Sequence, residues 1–283
     1  HRPDARRVHR PRYAEKFRPS GAEPRDRHRQ GISQRARVTL GAALGGTILL
    51  QMAYPLVSGT TLQVITIATI YLGASAMVLH AYLSYGLKYA SRYLLFTALF
   101  GYSIELLGVH SGWPFGVYSY DSSLGVALFD VPLVVPFAWV MMVHPALVAA
   151  RLVTTKWTFI YGGALLAGWD LFLDPLMVSA GRWTWEVTGS HIPFVPDVPL
   201  SNFFGWLLAG CAIIAFLNLV LPFERRKESA SLRAVTILLT WVLFSSVIGN
   251  VFFFDRPGLA LLGAVFFGAF ATPFIYKNWL GEA

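Results

Sequence analysis

Eight apolar runs, at roughly residues 38–57, 61–83, 93–109, 132–150, 157–180, 201–221, 234–254 and 258–276, dominate this chain. Each approaches the ~20 residues that carry a helix across about 30 Å of hydrocarbon. Backbone groups in lipid must pair within their own segment, so the runs predict an all-α polytopic membrane bundle of about eight helices. The basic residues give it a direction. With the first segment cytoplasmic and the helices alternating, 21 of the 23 Lys and Arg fall on that side. They are 12 in the N-terminal tail, Lys88 and Arg92, Arg151 and Lys156, Arg225, Arg226, Lys227 and Arg233, and Lys277, while only Arg182 and Arg256 fall on the other. Basic flanks stay cytoplasmic, so both termini are expected inside.

A hydrophobic fraction of 55%, a charged fraction of 13% and a mean hydropathy of +0.53 exclude a soluble domain of this length. The net charge of +8 resides in residues 1–37, which read as a basic, disordered tail preceding a transmembrane domain at 38–283. Such a tail serves as a topology signal or holds to anionic lipid headgroups. Beyond residue 38, 11 bases balance 11 acids, so the helical domain has no basic face for nucleic acid. Cys211, alone inside the sixth run, is a packing residue with no internal partner.

Three acids lie within the runs, where an ionised carboxylate costs about 2.5–3.5 kcal/mol on insertion scales. At ~1.5 Å per residue from the inner boundary, Glu105 and Asp170 share a depth of about 20 Å. Asp174 lies one turn further out on the same helix face as Asp170. With Asn202 and Asn250 they are expected to line one polar pocket opening outward; the alternative is protonated carboxyls bonding helix to helix. His110 follows Glu105 and reads as a proton relay or a helix-end residue, whereas His80 and His144 lie toward inner ends. No His pair at metal-ligand spacing supports a di-iron hydroxylase. All five Lys lie in the tail or at inner boundaries, which excludes a retinal Schiff base. The Asp170/Asp174 spacing invites a Mg²⁺-diphosphate prenyltransferase, but the bases to hold diphosphate are on the other side.

Two outward segments combine these acids with Trp, Tyr, Gly and Pro. One runs from Glu105 to Asp121; the other runs from Trp169 through Gly181-Arg-Trp-Thr-Trp-Glu186 to Trp206. Their pattern of Glu105, Gly108, Phe115, Gly116, Tyr118, Tyr120, Pro132, Trp139, Asp170, Asp174, Pro175, Trp183, Trp185, Pro199, Asn202, Phe203, Gly205 and Trp206 resembles the CruF-type carotenoid 1,2-hydratases. Residues 189–197 depart from the pattern. The resemblance implies a multi-helix membrane enzyme of carotenoid biosynthesis. It would add water to the terminal (CH₃)₂C=CH unit of lycopene, γ-carotene or a related acyclic-ended carotenoid, alongside membrane lipid and other carotenoid enzymes.

Hydration proceeds by protonation at C2, a tertiary cation at C1, and capture by water. A carboxyl in hydrocarbon beside other carboxyls is favoured in its neutral form, which suits a proton donor. Asp170, the deeper of the pair, is the first choice for the acid, with Asp174 one turn away and Glu105 receiving the proton from water. Asn202 is expected to orient that water. Trp169, Phe172, Trp206 and Tyr118 are expected to face the cation with their rings, and His110 to lie at the site's edge. No cofactor or metal is required by this chemistry. The rivals are a carotenoid end-group cyclase, which shares the cation but excludes water, and a proton-coupled transporter or lipid-binding protein.

Overall fold

A computed structural model describes residues 31–222, 226–227 and 230–279. The disorder expected of the basic tail lies outside the described residues as far as residue 30.

Eight long helices make up the described bundle: α1 (Gln34–Ala53), α2 (Gly59–Tyr85), α3 (Leu87–Ser111), α4 (Val135–Val153), α5 (Thr158–Ser179), α6 (Leu200–Val220), α7 (Arg233–Phe252) and α8 (Pro257–Trp279). Seven are long and apolar enough to cross a membrane. The other, α5, is 22 residues long and carries Asp170 and Asp174, which lower its hydropathy. The chain is an all-α polytopic membrane bundle. Helix α1 begins four residues before its apolar run because the Ser33 hydroxyl accepts from the Ala36 N–H and caps it. Arg35 and Arg37 are therefore helical rather than part of the tail. Likewise, α3 follows Gly86 (φ 94°) directly, so Lys88 and Arg92 occupy its first turns instead of a loop. Their long stems still carry charge outward: the Arg92 guanidinium donates to the Val220 carbonyl at 3.3 Å.

The helix ends sort into two sets. At one end the Lys227 N–H donates to Ser84 O, Arg151 Nε to Asn218 Oδ1 and Lys277 Nζ to Leu152 O. At the other end the four remaining connections meet, which places all eight helices in alternation. Tyr54 there packs edge-on against Phe254, centroids 6.5 Å apart. Helices α5 and α6 approach most intimately where Gly163 and Gly210 face each other. A Cβ on Gly210 would lie 2.9 Å from Gly163 Cα, a backbone approach that small residues permit in lipid.

The two long connections at this second end knit together. Strand β1 (Tyr118–Tyr120) pairs antiparallel with β4 (Trp183–Trp185), in the register Tyr118↔Trp185 and Tyr120↔Trp183. Between them in sequence, β2 (Ala127–Leu128) and β3 (Val131–Pro132) form a tight hairpin whose turn, Phe129 and Asp130, has φ 48° and 65°. After β4, β5 (His191–Ile192) and β6 (Val195–Pro199) form another hairpin. Directly opposed residues of an antiparallel pair share a face, and residues two apart share it as well. Tyr118, Tyr120, Trp183 and Trp185 therefore project from one face of the ribbon, and all four line the cavity beneath it.

Candidate active site

The cavity has a volume of about 430 Å³ and is walled by α1, α2, α3, α4, α5, α6 and α7 and roofed by the aromatic ribbon. Glu105, Asp174 and Asn202 are its buried polar residues at the α3, α5 and α6 walls.

Glu105 is closely held. Its Oε2 accepts from the hydroxyls of Tyr118 (2.6 Å) and Tyr120 (2.7 Å), and its Oε1 accepts from Trp139 Nε1 (3.0 Å). The tyrosines arrive because the chain turns back at Gly112 and Gly116, whose φ values of 72° and 92° suit glycine. The indole of Trp139 fits only because residue 101, one turn before Glu105, has no side chain. A Cβ there would lie 2.8 Å from the ring. Burial, and then the field of Glu105, push both phenols well above their usual range, so they remain donors. Three donors converge on this carboxyl, the arrangement that favours a carboxylate.

Asp170 and Asp174 are held differently. The single amide group of Asn202 donates to both, to Asp170 Oδ2 at 3.0 Å and to Asp174 Oδ2. Trp183 Nε1 donates to Asp174 Oδ1 at 3.2 Å. Asp170 Oδ1 and Asn202 Oδ1 are buried without partners among the described residues. Two carboxyls thus share three donor bonds, as many as Glu105 has alone, and retain unfilled acceptor positions. Neither α5 nor α6 carries a Lys or Arg.

Of the residues expected at the site, Glu105, Asp174, Asn202, Trp169, Phe172, Trp206 and Tyr118 line the cavity. Asp170 does not. It is 1% exposed and lies behind the wall, turned toward Asn202, so Asp174 is the member of the pair that reaches the chamber. His110 is exposed at the end of α3 and lies outside the cavity, because five residues past Glu105 is about 140° around the helix. Asn250 lines the cavity on α7. His80 and His144 bond to each other at 2.9 Å between α2 and α4, away from the chamber.

Tyr120, Trp139, Trp183 and Trp185 also line the cavity, where residue chemistry alone had not placed them. Trp139 also stacks on Trp206 at 4.4 Å and 10°, and Phe115 packs 5.9 Å from Trp206. Among the described residues no three His, Cys, Asp or Glu side chains converge as a metal ion requires. The two carboxyls that line the cavity, Glu105 and Asp174, are instead bonded to amide, phenol and indole donors.

A membrane bundle enclosing an aromatic chamber with one donor-rich carboxylate and one donor-poor acid pair is the class of protein defined here. Residues 65–270 match the family described as carotenoid biosynthesis protein, and the chain belongs to that family. It is also similar to the bisanhydrobacterioruberin hydratase of Haloarcula japonica, 33% identical over 132 residues. That stretch is 44% of this chain and 43% of the relative, less than half the length of either. Both findings agree with the resemblance to CruF-type hydratases. No solved structure matches.

Proposed function

We propose that this protein is a carotenoid 1,2-hydratase of the cell membrane, adding water to the terminal C1=C2 bond of an acyclic carotenoid end to give a tertiary alcohol. The observation that carries the reading is the contrast between the two acid sites facing one apolar chamber. The Asp170/Asp174 pair, short of donors, holds a proton; Glu105, with three donors, holds none.

Asp174, at the chamber wall, delivers the proton to C2, and Asp170 behind it shares the charge left on the pair through the Asn202 amide. The cation at C1 lies among the faces of Trp206, Trp139, Tyr118 and Trp169, whose quadrupoles favour it, and opposite the Glu105 carboxylate. Water attacks C1 and gives its proton to Glu105. Returning that proton to the aspartate pair through chamber water closes the cycle, with one H₂O consumed and no net proton. Acid, base and water suffice for the step.

Expression in a lycopene-producing host tests the reading. The expected product is heavier by one water for each modified end. A cyclic product of unchanged mass would identify a cyclase, and unchanged lycopene in cells containing the inserted protein would reject both.

A further inference from the structure

A carotenoid of some forty carbons is about as long as the ~30 Å hydrocarbon core is thick. A sphere of 430 Å³ is only about 9 Å across. The chamber accommodates one end of such a molecule, so the rest must leave through an opening. Four lining residues are exposed: Met52 (52%), Phe244 (58%), Ile248 (48%) and Phe253 (53%). Met52 belongs to α1, Phe244 and Ile248 to α7, and Phe253 follows the last turn of α7. Every other described lining residue, from α2 through α6 and from the ribbon, is buried or half-buried. The openings of the chamber therefore coincide with a single gap.

Both helices beside the gap are long and apolar enough to span a membrane, so its rim faces hydrocarbon. Helix α7 turns Val242, Ser245, Ser246, Gly249 and Asn250 to the chamber and sets Phe244 and Ile248 at the lipid side. A hydrogen bond from Trp241 Nε1 to Gln51 Oε1, 2.7 Å long, ties the two helices across the gap, and both residues line the cavity. The alternative exit, through the ribbon into water, would expose the whole polyene at ~25 cal/mol per Å².

We propose that the gap between α1 and α7 is a lateral portal and tail-binding groove: the reacting end passes between these helices, and the polyene stays lodged against Met52, Phe244, Ile248 and Phe253 with its far end in the bilayer. This rests on the carotenoid reading above and adds the path and the subsite for the chain.

The test is a reversible plug. Cys211, the chain's single cysteine, is replaced by Ala, and Ile248→Cys is introduced. The purified protein is labelled with a small or a bulky methanethiosulfonate. Leu219→Cys, on the lipid face of α6 and 84% exposed, is the control. Two readouts are taken: carotenoid retained by the protein after incubation with pigment-loaded vesicles, and hydrated product formed. The bulky adduct at residue 248 is expected to cut both at least tenfold below the methyl adduct at the same position, and reduction of the adduct to restore both to the level of the unlabelled variant. Loading and turnover within twofold of the unlabelled protein at full bulky labelling would overturn the portal, as would equal inhibition from residue 219. A protein that loads carotenoid through the open gap and is blocked by the plug, yet never hydrates it, would retain the portal and refute the hydratase reading.

Discussion

Replacing Tyr120 by Phe removes one donor from Glu105 and little else. The ring keeps its edge-on contacts with Trp183 and Tyr118, at 5.7 and 5.5 Å, and no buried donor is left without a partner. The Tyr120 hydroxyl bonds only Glu105 Oε2 among the described residues, at 2.7 Å, whereas Tyr118 and Trp139 go on donating to the same carboxyl. A hydrogen bond to a charged group contributes about 1.5–3 kcal/mol. At ~1.36 kcal/mol per tenfold in rate, losing it from the carboxylate that supports the cation lowers turnover by about 10- to 150-fold. Because Phe fills the same space, thermal unfolding in detergent is expected to change little. The assay is product formed per inserted protein at saturating carotenoid, with unfolding measured on the same sample. Turnover within twofold of the parent, with insertion unchanged, would show that the Tyr120 donor gives Glu105 no support in the step.

Asp174→Asn is expected to abolish turnover while leaving the protein inserted, since an amide occupies the same position but delivers no proton; product analysis on membranes checks it. Asp170→Asn, behind the wall, is expected to be severe but measurably less so, and near-parent activity in both variants would assign the pair to packing. Gly101→Ala drives a methyl to 2.8 Å from the Trp139 ring and should destabilise by about 1–3 kcal/mol while drawing the indole off Glu105. Trp139→Leu in the same chain should recover stability in thermal melts but not activity. Reporter fusions are expected to place both termini and the segment around Arg226 and Lys227 in the cytoplasm and the Tyr118–Trp183 ribbon outside; a reversed pattern would put the chamber at the wrong face.

The bundle was legible because a spanning helix is set by length and hydropathy, and even α5, depressed by two aspartates, is long enough to be recognised. Helix ends were less legible. Lys88 and Arg92 mark a boundary by charge, yet their stems let the helix continue through them to Gly86. Counting residues predicts a common depth for Glu105 and Asp170 but not the direction each faces. Asp170 and Asp174 share a helix face and both bond Asn202 on α6, yet only Asp174 lines the cavity. The tyrosines on Glu105 lie 13 and 15 residues away and return through two left-handed glycines, while Trp139 comes from another helix. These contacts depend on the tertiary path. His110 was drawn in by proximity along the chain, which the helical rotation reverses.

The fate of solvent atoms tests the central claim most directly. Purified protein given an acyclic carotene anaerobically in D₂O and H₂¹⁸O is predicted to form a tertiary alcohol with solvent deuterium at C2 and ¹⁸O at C1, since the proton and the water add to one double bond. A hydroxylation would draw its oxygen from O₂ and stop under these conditions, and a cyclisation would carry no ¹⁸O. Product formed without ¹⁸O would contradict the hydratase assignment.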